Sequence, residues 1–150
     1  MSVQALLALF AGCLAGGVAP WVNTEILVVG TALFVEPREL ALVPLVAAAG
    51  QMLGKASIYG LVRWAPDRLP ARARRALARS RRLVPTRTAG VTVLLSAGIG
   101  LPPFYLVTLG AGLVHVPAHV FVGLGVLGTI LRYAILAVGA YFVGGPLPLP

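Results

Sequence analysis

Gly98-Ile99-Gly100-Leu101-Pro102-Pro103 interrupts an apolar stretch that otherwise runs from Thr88 to Val114. Each proline removes a backbone donor, and the residue before it is pushed out of helical dihedrals, so one continuous helix is excluded. The expected outcome is helix, break, helix. In hydrocarbon the freed backbone groups are costly, so an interruption at depth must be covered by protein or face a wet cavity. A segment that dips into a bilayer and returns on the same side meets that condition. A second interruption of the same form, Gly16-Gly17-Val18-Ala19-Pro20-Trp21-Val22-Asn23, parts the apolar stretches Val3–Val18 and Thr24–Val35.

Composition calls for a bilayer. The chain is 59% hydrophobic and 11% charged, where a soluble domain has about 45–50% and about 25%. Its mean hydropathy is +0.94, which excludes a disordered chain. The net charge of +8 sits in one place: nine arginines lie between Arg63 and Arg87 against the single acid Asp67. Elsewhere Arg38, Lys55 and Arg132 balance Glu25, Glu36 and Glu39. A basic loop between apolar stretches marks the cytoplasmic face, so a multi-pass cell-membrane protein with a cytoplasmic arginine loop is expected. No aromatic residue interleaves with the arginines after Trp64, and no nucleic-acid partner is expected. Cys13 stands alone in an apolar stretch, which fits packing. Met1 to Gln4 carry no side-chain charge, which argues against a cleaved signal peptide.

Leu40–Trp64 and Pro117–Val143 are long enough to span, since a crossing needs about 20 apolar residues. Val3–Val18 either spans or re-enters. The two halves align at an offset of 80, with Gly30 on Gly110, Pro37 on Pro117, and the break at Pro20–Asn23 on Gly100–Pro103. The expected fold is an all-α integral membrane protein of two inverted repeats, each a re-entrant helical hairpin followed by a spanning helix. It forms a single membrane domain over 1–150: repeat one 3–64, basic cytoplasmic loop 65–87, repeat two 88–144 and a short Pro-rich tail 145–150. The alternative is a bundle of four or five ordinary spanning helices. In the first reading the break residues Pro20, Asn23, Gly98, Gly100, Pro102 and Pro103 lie near the midplane, where inverted-repeat transporters place their sites.

A charge at the bilayer centre costs at least ~2.5–3.5 kcal/mol, so embedded charges are the strongest single-residue signals. Glu25 follows the first break, where Asn23 or Thr24 can cap a returning helix and a carboxylate meets a helix N-terminus. Arg132 cannot lose its proton and needs an acceptor; Glu25 or a bound phosphate would serve. Lys55 either snorkels or faces a cavity, and Arg63, near a helix end, is expected to snorkel. Gly50-x-x-x-Gly54, Gly12-x-x-x-Gly16 and Gly128 permit close helix packing. Arg68, Arg72, Arg75, Arg79 and Arg82 repeat at helical spacing between limits near Pro70 and Pro85, with Leu69, Ala73, Ala76 and Leu77 turned away. Such a segment either lies on anionic headgroups or is a solvated loop that fixes orientation. His115 and His119 flank Pro117 without a third ligand, so no metal site is expected. No nucleophile elbow, P-loop or zinc-protease motif is present, and neither an enzyme nor a cofactor is expected.

Four motifs occur in order: Pro20…Glu25…Gly30, then Gly50-Gln51-Met52-Leu53-Gly54…Tyr59, then Gly98-Ile99-Gly100-Leu101-Pro102-Pro103…Gly110-x-Gly112, then Phe121…Gly128-x-x-x-Arg132. Together, over roughly Gly16–Gly139, the chain resembles the DedA/VTT (SNARE-associated Golgi protein) membrane family. The resemblance implies two opposed re-entrant hairpins and movement of lipids, including a polyprenyl-phosphate carrier, in a proton-linked way. It also implies that Glu25 is the family's acid after the first break and Arg132 the arginine of its last helix. The family's arginine beside the second break is absent here, and only Glu36 or Glu39 stands where a second acid is expected. Transport of a lipid or lipid-phosphate using Glu25 and Arg132 is the leading expectation. The alternatives are a membrane scaffold acting through the arginine loop, or a small-solute or ion exchanger. Membrane lipids are the expected partners, anionic or polyprenyl-phosphate, and a homo-oligomer would shield the hairpins.

Overall fold

Seven α-helices and no strand make up residues 1–144, the part described by a computed structural model; the side chains of residues 66, 73 and 78 are not described. The Pro-rich tail expected at 145–150 lies outside the described residues. The helices are α1 Val3–Val18, α2 Thr24–Ala32, α3 Leu42–Trp64, α4 Ala71–Leu83, α5 Ala89–Ile99, α6 Phe104–Leu113 and α7 Ala118–Gly144. Short 3-10 turns lie at Pro37–Glu39, Pro66–Arg68 and Thr86–Thr88.

Two segments, Pro37–Trp64 and Ala118–Gly144, are long and apolar enough to cross a membrane. Only 44% and 33% of their most apolar windows are buried, whereas the core helix of a soluble protein would be largely enclosed. Along α7, Leu127, Leu131, Ile135, Val138 and Phe142 are all exposed. Their spacing of three and four puts them on one face, an apolar stripe that water does not favour.

Both sequence interruptions are breaks between helices, though each is shorter than the residues suggested. Gly16 and Gly17 remain inside α1, and the first turn runs from Ala19 to Asn23. Gly98 likewise belongs to α5 and does not break it. That helix ends at Gly100, whose φ of 86° is left-handed and suits a residue without a Cβ. Pro102 and Pro103 follow, and Ser96 Oγ donates to the Pro102 carbonyl at 2.6 Å across the turn.

The contacts gather the chain into two compact units: Met1–Gly54 with the chain from Thr129 onward, and Lys55–Gly128. Each unit takes one helix–break–helix and part of each long helix. In the first unit, α1 lies directly on α3. A Cβ added at Gly50 would come 2.4 Å from the Phe10 carbonyl oxygen, and one at Gly54 2.5 Å from that of Leu14. Only glycine admits this approach. Leu9, Cys13, Val28, Ala32, Val43, Ala47, Tyr133 and Ala137 form the buried core, to which α1, α2, α3 and α7 all contribute. In the second unit α4 covers α6, with Val62, Leu69 and Leu109 buried and Ala76 and Leu77 packed on them. There α5 meets α7 at Gly128, where a Cβ would lie 2.8 Å from that of Ala97.

Candidate functional site

The first unit brings together two of the three embedded charges singled out from sequence. The Asn23 side chain caps α2, accepting from the backbone N–H of Glu25 at 3.0 Å and of Ile26 at 3.3 Å. That cap leaves Glu25 as the second residue of the helix, in its acid-favouring first turn. Its carboxylate forms an ion pair with the Arg132 guanidinium, which comes from the middle of α7. The pair is not sealed: the side chains are 39% and 27% exposed. A groove of about 320 Å³, lined by Asn23, Glu25, Ile26, Val29, Gly30 and Leu136, opens beside the acid.

A buried polar network lies next to this pair. Thr24 Oγ1 accepts from Tyr133 Oη at 2.6 Å and from Gln51 Nε2 at 3.2 Å. Three helices are thereby tied at one point: α2 through Thr24, α3 through Gln51 and α7 through Tyr133. The neighbours Thr24–Glu25 and Arg132–Tyr133 thus make two cross-links between α2 and α7. The charged link can open if Glu25 takes up a proton, because the guanidinium keeps its own. The neutral link holds the helices in register meanwhile.

Lys55 lies in the second unit, near the middle of α3, and is 3% exposed. It does not snorkel. Its Nζ sits 5.2 Å from the Tyr105 ring centroid and 5.8 Å from that of Phe104, the first two residues of α6. Arg63, expected to snorkel, instead donates to Tyr59 Oη at 2.6 Å and to the Val116 carbonyl at 2.8 Å. Tyr59 bonds the same carbonyl and stacks on Phe121, ring centroids 4.5 Å apart. This arginine is a tether between α3 and the segment that leads into α7.

The packing glycines Gly50, Gly54 and Gly128 are at the helix crossings described above, while Gly12 faces the Leu27 side chain of α2. Pro20, Asn23, Gly100, Pro102 and Pro103 lie in or beside the two turns. Of the arginine stripe, Arg72, Arg75, Arg79 and Arg82 are exposed on α4, together with Arg74 and Arg81. Arg68 is exposed too but belongs to the preceding 3-10 turn, parted from α4 by Pro70. The stripe is therefore shorter along the chain and wider around the helix than its spacing implied. Leu69, Ala76 and Leu77 face the core; the side chain of Ala73 lies outside the described residues. Among the described residues no three potential metal ligands gather.

The roles of Thr24, Gln51 and Tyr133 are not evident from the chain alone. Gln51 and Tyr133 are polar groups in apolar helices, next to Gly50 and Arg132, but their meaning depends on which helices touch. Set against protein-family models, curated proteins and solved structures, the chain matches none of them.

Proposed function

We propose that this chain is a multi-pass membrane transporter that moves a lipid or lipid-phosphate in a proton-linked way, of the DedA/VTT type. The observation that carries it is the Glu25–Arg132 ion pair, which joins the residue after the first break to the middle of a membrane-length helix. A permanently charged guanidinium and a titratable acid, placed beside a groove in an apolar surface, form a switchable anion site. Protonating Glu25 releases Arg132 to hold an anionic headgroup; losing that proton closes the pair again.

The packing supports two re-entrant hairpins in inverted repeats. In one unit α1 packs on α3 while the start of α2 meets the middle of α7. In the other, α5 packs on α7 while the start of α6 meets the middle of α3. Exchanging the two long helices turns one description into the other. The exposed apolar face of α7 fits lipid contact, and the exposed arginines of α4 fit a cytoplasmic loop. The cargo class, anionic or polyprenyl-phosphate, rests on the family resemblance and on the guanidinium's match to phosphate. A homo-oligomer that shields the hairpins fits the same reading.

Reconstituted vesicles carrying a fluorescent phospholipid test it. Glu25→Ala and Arg132→Ala should each abolish lipid redistribution in protein that still reconstitutes; equal rates for both variants and the parent chain refute the assigned roles. A scaffold role has its own supporting feature: α4 presents six exposed arginines and no acid. Changing those arginines to glutamine should leave redistribution intact under the transport reading and abolish function under the scaffold reading.

A further inference from the structure

Among the described residues Lys55 pairs with no acid, although its side chain is buried. Each glutamate has another cation: Glu25 pairs with Arg132, Glu36 with Arg38 at 2.8 Å, and Glu39 with the amino group of Met1. Asp67 is exposed in the 3-10 turn Pro66–Arg68. Among the described residues the Lys55 ammonium meets two aromatic faces, Phe104 and Tyr105, and no hydrogen-bond acceptor. Ring faces attract a cation, but they offset only part of the cost of taking an ammonium out of water. An anion beside the ammonium would offset more of that cost.

The same two residues open α6, a helix of ten residues. Its N-cap is Pro103, which provides no side-chain acceptor. Leu106 and Val107 donate their N–H groups to the Pro103 carbonyl, at 2.9 and 3.2 Å. The backbone N–H groups of Phe104 and Tyr105 have no acceptor among the described residues. An uncapped helix start carries partial positive charge and free donors, the arrangement that holds phosphate in many proteins. Here a buried ammonium lies beside it.

We propose that Lys55 and the uncapped first turn of α6 form an oxyanion site for a phosphate group, with the Phe104 and Tyr105 rings packing against whatever apolar body carries it. The site deepens the transport reading and rests on it only for the idea that this phosphate is cargo. It also divides the work: Arg132 is occupied by Glu25 at rest, whereas Lys55 is vacant of any acid.

The chain contains a single lysine, so protein grown with ε-13C-lysine gives one lysine side-chain resonance, that of Lys55. The probe is that resonance in phosphatidylcholine nanodiscs, titrated with inorganic phosphate or prepared with increasing phosphatidic acid. A saturable shift with phosphatidic acid alone assigns the site to a lipid-borne phosphate. A shift with inorganic phosphate alone assigns it to the free ion, and a shift with both to phosphate from either source. No shift with either overturns the site. Replacing the α4 arginines with glutamine leaves the shift in place if it is local, and removes it if it merely reports lipid gathered by surface charge, which also overturns the site. Lys55→Gln should weaken retention of labelled phosphatidic acid by purified protein about tenfold or more, with Lys55→Arg restoring it. Should Lys55→Gln not fold, the resonance of the parent chain decides alone. Lipid redistribution through Glu25 and Arg132 is read separately in vesicles, so a silent Lys55 with intact redistribution rejects this site and leaves the transport reading standing.

Discussion

The two helices that return from a break, α2 and α6, both present their second residue to the middle of a long helix, and they do it with different chemistry. Glu25 of α2 meets Arg132, and Asn23 caps the helix from behind. Tyr105 of α6 meets Lys55, and Pro103 offers no side-chain cap. The first site is neutral as a pair, and the Asn23 cap satisfies the backbone donors of Glu25 and Ile26. The second holds one cation, two aromatic rings and free donors. The second residue after a break thus belongs to a self-compensated charge pair in one unit and lies beside an unanswered cation in the other. The contrast teaches that charge and helix capping together distinguish the two sites.

The most disruptive way to break this comparison is to remove one member of the compensated pair. Arg132→Ala leaves Glu25 unanswered and should cost about 2–3 kcal/mol, less than a fully dry pair because both side chains are partly exposed. Unfolding in mixed micelles by graded detergent measures it. The Glu25→Ala, Arg132→Ala double variant should lose less than the two singles combined, since the pair acts as a unit.

The glycine seams differ in the same spirit. Gly54→Ala forces a Cβ to 2.5 Å from the Leu14 carbonyl and 2.8 Å from the Gly17 Cα, and should destabilise by about 2 kcal/mol. Gly98→Ala meets Gly128 only at 3.8 Å, an ordinary contact, and should be neutral or gain up to about 1 kcal/mol from helix propensity. The same detergent assay ranks the two; equal losses would show that the seams are alike after all.

Tyr59→Phe removes one of two donors on the Val116 carbonyl while Arg63 keeps the other, so about 1 kcal/mol is expected. Asn23→Ala uncaps α2 and makes its start resemble that of α6. It should cost about 0.5–1 kcal/mol, seen as faster amide exchange at Glu25 and Ile26.

Much of this layout is legible in the residues. Prolines at 20, 102 and 103 cannot continue a helix, and two apolar runs exceed 20 residues, so breaks and long helices follow from local chemistry. The ends of the breaks do not: Gly16, Gly17 and Gly98 look like breakers, yet all three are helical, the first two at positions where a Cβ would clash with a neighbouring segment. The ion pair between Glu25 and Arg132 is predictable from scarcity, because an embedded arginine must find one of very few acids. The fate of Lys55 is not, since snorkelling and burial read the same until α6 is seen to cover it. Arg63 shows the same ambiguity. The Thr24–Gln51–Tyr133 network needs three helices to meet, which no spacing rule in one chain encodes.

Glu25→Gln bears most directly on the central claim, that the pair is a working switch and more than a clasp, because it preserves shape and a hydrogen bond to Arg132 while removing the proton cycle. Detergent stability and lipid redistribution should be measured on the same purified protein. The account predicts a folded population close to that of the parent chain with redistribution lost. Redistribution at the parent rate, or lost only in step with unfolded protein, would contradict it.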